Sequence, residues 1–307
     1  MIDLMRMKIA VERRAGRLRR WTAVCWIALA APAWAAPALW AVSDAQGRVR
    51  GHLFGTVHLC KADCYPLPAT VRAAFDSADR LIVELDAGDP AVAATVAAAG
   101  LLPAGRRLEA QLPAELFRAL EGAAGRLGLD AAILQRMRPW FASAWLMASA
   151  AEQAGYSNAA GVDAVLLARS RAAGKALVTL ETPERQVAAL SAGGAQAQVA
   201  ALRQTVEMIN TGRMSAYLDR LVAAWRTGDE AALSAAMAEG LDTDEAAPLI
   251  EALLTERNGE MAARIDRLLG APGTAFVAVG GGHLVGAEGI PARLARLGWR
   301  VRRVASP

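Results

Sequence analysis

The sequence predicts an α/β fold, a mixed sheet with flanking helices and a large helical insertion. Three observations lead to this class. Short apolar runs bounded by turn residues occur near the start of the 307-residue chain, once in its middle and near its end. Residues 184–269 show apolar positions at helical spacing almost without interruption. No stretch rich in Pro, Ser or Gly divides the chain, so residues 36–307 are expected to form one domain.

Six segments are predicted to be strands because each is a short apolar run. The first two flank a turn at residues 43–47 and are expected to form a hairpin. The third contains an acidic residue, Glu84, inside an otherwise apolar run. The predicted strands cover residues 38–42, 49–56, 81–85, 176–180, 274–279 and 299–304.

Helices are predicted where apolar residues recur three or four positions apart. Gly155 and Gly174 follow two of these patterns, as glycines do at helix ends. Gly212, Gly228 and Gly240 interrupt the helical insertion at 184–269. The other predicted helices cover residues 69–78, 90–99, 112–127, 140–154, 162–173 and 291–297.

Residues 1–35 have the pattern of a secretory signal peptide. A run of arginines precedes an eleven-residue apolar segment at 21–31, and Ala33 and Ala35 supply the small residues of a cleavage site before Ala36. The apolar segment is shorter than the roughly 20 residues of a membrane span. The chain is therefore expected to be periplasmic or secreted, without stable membrane insertion after cleavage near Ala35/Ala36. An uncleaved membrane anchor is the alternative.

The charge of the remaining chain argues against a nucleic-acid binder. The formal net charge is +4, from 34 basic and 30 acidic residues. Residues 1–35 hold seven of the basic residues and two of the acidic ones, which leaves 27 against 28. Phosphate backbones require a concentrated basic face, and this balance provides none.

Two cysteines, Cys60 and Cys64, remain after removal of the signal peptide. An even pair in an exported chain indicates a disulfide. A metal site or a redox pair is the alternative, but redox pairs usually have C-x-x-C spacing and two thiols alone do not complete a zinc site.

Two of the three histidines end the pattern G-x-x-H. His58 ends the first histidine motif (residues 55–58) and His283 ends the second (residues 280–283), each directly after a predicted strand. Ligands of open α/β sheets gather at such strand ends, so a shared site is expected. His52 lies inside a strand without this motif and is interpreted as structural.

Acidic residues complete the candidate site. Glu84 must be paired or bound to a cation, because burying a lone carboxylate costs several kcal/mol, and Glu181 follows another strand. Two histidines and a glutamate suit zinc, manganese, iron or cobalt. Two structural alternatives remain: Glu84 pairs with an arginine such as Arg257, or the three glycines at 280–282 form an anion-binding turn. No G-x-S-x-G, P-loop or G-x-G-x-x-G motif supports another mechanism.

Several short segments, in this order, resemble the TraB/GumN family over residues 38–305. They are residues 53–58 (Leu-Phe-Gly-Thr-Val-His), 81–86, 138–140, 161–163, 180–182 with Gln186, 256–258 with Met261, and 276–284 followed by 289–291. This family is similar to the Tiki metal-dependent peptidases, and more remotely to erythromycin esterases and haem-binding ChaN-like proteins. The resemblance implies a TraB/Tiki-like α/β fold with His58, Glu84 and His283 at one site.

The resemblance also places Glu181, Arg257 and Asn258 around that site. The expected function is an exported metal-dependent hydrolase, a peptidase, with a divalent metal ion (Mn, Co, Zn or Fe not distinguished) and a peptide or small-molecule substrate. Glu181 is the candidate general base or a carboxylate outside the ligand set, and Arg257 the candidate for holding the substrate or oxyanion. The alternative is a non-catalytic periplasmic binding protein for a peptide, haem or cell-envelope fragment.

Overall fold

The computed structural model describes residues 36–239, 241 and 243–305. The signal-peptide prediction and the interruption at Gly240 fall outside these residues and stay predictions. Within the described residues no helix is long and apolar enough to cross a bilayer. The strands are β1 (Leu39–Ser43), β2 (Val49–Thr56), β3 (Arg80–Val83), β4 (Ala176–Thr179), β5 (Ala275–Gly280) and β6 (Arg300–Arg303).

These strands form a single six-stranded sheet in the order β4-β3-β5-β2-β1-β6. Strand β5 pairs in parallel with β2 on one side and β3 on the other, and β3 pairs in parallel with β4. Strand β1 runs antiparallel to both β2 and β6. The prediction of an α/β fold with a mixed sheet is therefore confirmed, as is the hairpin of the first two strands.

Helices cover both faces of the sheet. They are α1 (Ala69–Ser77), α2 (Pro90–Gly100), α3 (Ala114–Arg126), α4 (Ala131–Leu134), α5 (Pro139–Gln153), α6 (Val162–Ala172), α7 (Pro183–Leu190), α8 (Gly194–Asn210), α9 (Met214–Thr227), α10 (Glu230–Ala238), α11 (Ala247–Ile250), α12 (Glu256–Gly270) and α13 (Ile290–Arg296). Four of them begin at a side chain that accepts a backbone N–H, as N-caps do: Asp89, Asp130, Thr182 and Asp229. A π-helical turn (Glu251–Thr255) joins α11 to α12.

The sheet separates two apolar cores, because successive side chains of a strand point to opposite faces. On one face Phe54 and Phe276 pack 5.8 Å apart, measured between ring centroids, and contact the core of α1, α3, α5, α6, α8 and α9. On the other face Leu53 and Val277 pack against α12 and α13. A central parallel strand is buried on both faces and is therefore a continuous apolar run in the sequence. Strand β5 has this pattern, and for this reason it could be predicted from the sequence.

The structure differs from the predicted elements mainly at their ends. Strand β3 ends at Val83, so Glu84 follows the strand instead of lying inside it. The backbone ladder nevertheless continues, because the N–H of Glu181 donates to the carbonyl oxygen of Glu84 at 3.0 Å. The predicted helical insertion consists of α7 to α12, and Gly228 caps α9 with a φ of 65°.

Cys60 and Cys64 form the predicted disulfide, with a Cα–Cα distance of 6.3 Å. It lies directly after the first histidine motif. The backbone of Cys60 also pairs with Ser157, with N···O distances of 3.3 and 2.9 Å. The bridge thus belongs to a loop that contacts the segment leading into α6.

Candidate functional site

The site is at the carboxyl edge of the parallel strands. The two histidine motifs end neighbouring strands, because Thr56 of β2 and Gly280 of β5 are in register. Glu84 follows β3, on the other side of β5. A Cβ atom added at Gly280 would lie 3.3 Å from Glu84 Oε1 and 3.8 Å from His58 Nε2, and 3.6 Å from His283 Cδ2. The three residues therefore surround a space that only a glycine at this position leaves open.

His58 is held by a carboxylate from α6. Its Nδ1 is 2.7 Å from Asp163 Oδ2, and the hydroxyl of Thr56 donates to Asp163 Oδ1. The charge of Asp163 raises the pKa of His58 to about 9. The imidazole is 66% exposed, so the carboxylate and not burial governs its ionisation. Because Nδ1 is engaged by Asp163, Nε2 is the ring nitrogen left for the open space beside Gly280.

His283 is held by an amide from α12. Asn258 Nδ2 donates to the carbonyl oxygen of Glu288 at 2.9 Å, which directs Asn258 Oδ1 toward His283 Nδ1, 2.7 Å away. An amide oxygen accepts only, so Nδ1 carries the proton and Nε2 the lone pair. Burial lowers the pKa of His283 to about 4, and Arg257 acts in the same direction. The ring is therefore neutral at pH 7.

Arg257 is the centre of a buried ion-pair cluster. Its Nη2 donates to Glu84 Oε2 at 2.6 Å and to Glu181 Oε2 at 2.7 Å, and its Nε donates to Glu181 Oε1 at 2.8 Å. The exposed fraction of the side chain is 6% for Arg257, 10% for Glu84 and 2% for Glu181. Pairing of Glu84 with Arg257 was one of the structural alternatives, and the structure contains it.

Burial opposes ionisation of Glu84, but surrounding positive groups outweigh it. The charges of His283 (protonated only below about pH 4), His58 and Arg257 and the N–H of Gly280, which donates to Glu84 Oε1 at 2.6 Å, lower the pKa of Glu84 to about 2. Glu84 is thus a carboxylate at neutral pH. Its Oε1 lies 3.7 Å from His283 Nε2.

The π-helical turn before α12 contributes to the position of Arg257. Arg257 Nη1 donates to the carbonyl oxygen of Leu253, which lies in this turn, at 3.1 Å, and to His283 Nε2 at 3.2 Å. Single π-helical turns occur frequently at functional sites. Both oxygens of Glu181 accept from Arg257, so the geometry favours Glu181 as a carboxylate that holds Arg257 rather than as a general base.

The donor types at the site, imidazole nitrogen and carboxylate oxygen, are those that divalent transition metals accept. In metal sites the second nitrogen of a ligating histidine is usually held by a carboxylate or carbonyl oxygen, as Asp163 and Asn258 hold the two Nδ1 atoms here. As they stand, no three His, Cys, Asp or Glu side chains among the described residues form a metal-binding cluster. The guanidinium of Arg257 lies between Glu84 and His283, where it supplies the positive charge.

Sequence reasoning missed three contributors. Thr56 and Asp163 hold His58, and Gly161 allows the two loops to meet, because its Cβ would lie 2.3 Å from the carbonyl oxygen of His58. The segment 161–163 was noticed only as part of the family resemblance. His52 lies within β2, in register with Phe276, away from the carboxyl edge.

The comparisons with known proteins agree with this architecture. A model of the TraB/PrgY/gumN family matches residues 38–303. The chain belongs to the TraB/PrgY/gumN family. No solved structure is significantly similar to it.

Three relatives illustrate the range of this similarity. The "Uncharacterized protein YbaP" of Escherichia coli (strain K12) is 29% identical over 139 residues, 45% of this chain and 51% of that protein. Its counterpart in Shigella flexneri is 28% identical over 144 residues, 47% of this chain and 53% of that protein. The "Metalloprotease TIKI2" of Danio rerio is 31% identical over 84 residues, 27% of this chain and 16% of that protein. The chain thus spans about half the length of the two YbaP proteins.

Proposed function

We propose that the protein is an exported, divalent-metal-dependent hydrolase that cleaves peptide bonds, with His58, Glu84 and His283 as the metal ligands. The observation that carries the proposal is the convergence of His58 Nε2, Glu84 Oε1 and the imidazole ring of His283 on the space beside Gly280. Similarity to a protein named as a metalloprotease supports the reaction class. The signal-peptide pattern of residues 1–35 supports export, and a disulfide suits an oxidising compartment.

The protonation state of each proposed ligand determines whether it must lose a proton before it binds a metal. Glu84 is ionised and His283 neutral at pH 7, so both are ready to donate to a cation. His58 is protonated, because its pKa is raised to about 9 chiefly by Asp163, and must release that proton to bind a metal. Asp163 then keeps Nδ1–H as its partner and holds the ring in place.

Arg257 supplies a fixed positive charge beside the reacting groups. A divalent ion held by His58, Glu84 and His283 would supply a Lewis acid and would lower the pKa of a bound water. Arg257 Nη1 already has a second acceptor, the carbonyl oxygen of Leu253, and therefore remains anchored if it releases His283 Nε2. Two bonds to Glu181 fix the guanidinium where negative charge on a substrate carbonyl oxygen is to be stabilised.

The test is metal content together with peptide cleavage. The purified chain is expected to bind one equivalent of a divalent metal and to cleave a peptide library with added manganese, cobalt, zinc or iron. His58→Ala, Glu84→Gln and His283→Ala should each abolish both, while His52→Ala should retain both. Unchanged metal content in the three variants would refute the site. A haem absorbance band, or peptide binding without cleavage, would favour the non-catalytic binding protein.

A further inference from the structure

An apolar pocket opens directly beside the two histidines. Its volume is about 260 Å³, and its floor contains His58, His283 and the glycines between β5 and the second histidine. Its walls come from the helical insertion and from α5. The apolar side chains that line the walls are Met147, Leu221, Leu233, Met237 and Leu254.

The second histidine motif brings these helices close to the site. A Cβ atom at Gly281 would lie 3.2 Å from Leu233 Cδ2, and one at Gly282 would lie 2.2 Å from Met237 Cε. A larger residue at either position would contact the ends of the Leu233 and Met237 side chains, which would have to move. The glycines therefore border the pocket as well as forming the turn after β5.

The side chains that line the pocket are mostly apolar. Apart from the two histidines, no charged side chain lines this pocket among the described residues. A second cavity, of about 520 Å³, shares only His58 with this pocket, and its lining contains Asn158, Asp163 and Arg171 besides alanine and leucine side chains. A substrate that crosses His58 therefore meets a pocket without charged side chains at one end and a cavity that contains Asp163 and Arg171 at the other.

The pocket is large enough for one apolar side chain. Sites for whole small molecules usually enclose about 300–1,000 Å³, and 260 Å³ lies just below that range. Met147, Leu221, Met237 and Leu254 are only half-buried. Filling the pocket with an apolar side chain would remove this surface from water, which is the main favourable contribution to such binding.

We infer that this pocket is the specificity subsite of the enzyme and takes an apolar side chain of a peptide substrate on one side only of the bond cleaved. The inference rests on the proposed hydrolase function. Leu221 of α9 and Leu254 of the π-helical turn are the specificity-determining residues, because they face the reacting groups without belonging to the metal or ion-pair cluster.

The first test is a cleavage profile of the purified chain with a peptide library and mass spectrometry. Peptides with Leu, Met or Phe at one position next to the cleaved bond should exceed those with Asp, Lys or Gly at least ~tenfold in kcat/KM, the range that apolar pockets discriminate. Leu221→Asn and Leu254→Asn should reduce this preference, while Leu221→Met should retain it. Leu297→Asn, at an exposed leucine outside the pocket, is the matched control.

Cleavage without apolar preference, or a preference unchanged in both asparagine variants, would overturn the inference. A melting temperature and metal content equal to the wild type establish that the variants fold. If no peptide is cleaved, equilibrium binding of labelled hexapeptides separates the two proposals. Tighter binding of a Leu-containing peptide than of its Asp counterpart, lost in Leu221→Asn, would support the subsite although hydrolysis fails. Equal binding of the two peptides would refute the subsite itself.

Discussion

Replacing Arg257 with methionine is expected to destabilise the fold by about 3–5 kcal/mol at pH 7, the usual cost of removing one partner of a buried ion pair. The substitution keeps an unbranched apolar chain and removes the cation shared by Glu84 and Glu181, which are 10% and 2% exposed. Arg257 is also one of the groups that lower the pKa of Glu84 to about 2, after the charges of His283 and His58.

The lowered pKa of Glu84 also determines how the effect of Arg257→Met on stability changes with pH. A carboxylate whose folded pKa is lowered stabilises the fold fully above its unfolded pKa, here 4.5, and this stability is lost as the pH falls toward about 2. The difference between wild type and Arg257→Met should therefore be largest above pH 5 and shrink between pH 4.5 and pH 2. Protonation of the unpaired carboxylates in the variant acts in the same direction.

The assay is urea unfolding of metal-free protein with a chelator present, followed by far-UV circular dichroism. Arg185→Met is the matched control, because Arg185 pairs with Glu260 at 2.7 Å with side chains 24% and 56% exposed. Such a surface pair contributes at most about 1 kcal/mol. A cost for Arg257→Met no larger than for Arg185→Met at pH 7 would refute the argument that the cluster is electrostatically coupled.

Three further outcomes are expected. Gly161→Ala should lower the free energy of unfolding by about 1–3 kcal/mol, because the new methyl group would lie 2.3 Å from the backbone of the first histidine motif. The control Gly125→Ala, in helix α3 with nothing within 4 Å, should instead raise it by about 0.5–1 kcal/mol. Equal effects of the two substitutions in thermal unfolding would contradict the packing argument. Mass spectrometry should find Cys60 linked to Cys64, and replacing both with alanine should cost less than the ~3 kcal/mol of a 15-residue loop; free thiols in oxidised, folded protein would exclude the bridge. N-terminal sequencing of the exported chain should begin within a couple of residues of Ala36, whereas an intact 21–31 segment in the membrane fraction would indicate an anchored protein.

The core of the candidate site was predictable because it follows from strand order. Parallel strands place their carboxyl ends at one edge, and the sequence places His58 and His283 just after apolar runs and Glu84 within one. The glycines of the two histidine motifs marked where the backbone turns away from the sheet. His58, Glu84 and His283 come together once β2, β5 and β3 lie side by side in parallel, because their carboxyl ends then meet at one edge.

The groups that hold these residues were not predictable in the same way. Asp163 reaches His58 because the loop after the motif pairs with the backbone before α6, through Cys60 and Ser157. This contact spans about a hundred residues and has no periodic signal. Similarly, the sequence offered either a metal or Arg257 as the partner of Glu84, and only the structure shows that Arg257 pairs with it.

The charges of the cluster bear on the proposed metal site. With the histidines neutral, Glu84, Glu181 and Asp163 carry three negative charges and Arg257 one positive charge, which leaves a formal balance of −2. Protonated His58 compensates only half of this. A divalent cation that displaces that proton would neutralise the formal charge of −2 completely. A monovalent cation would leave a formal charge of −1, the same as protonated His58 does. The arginine thus stabilises the carboxylates without metal, and the remaining charge favours a dication beside Gly280.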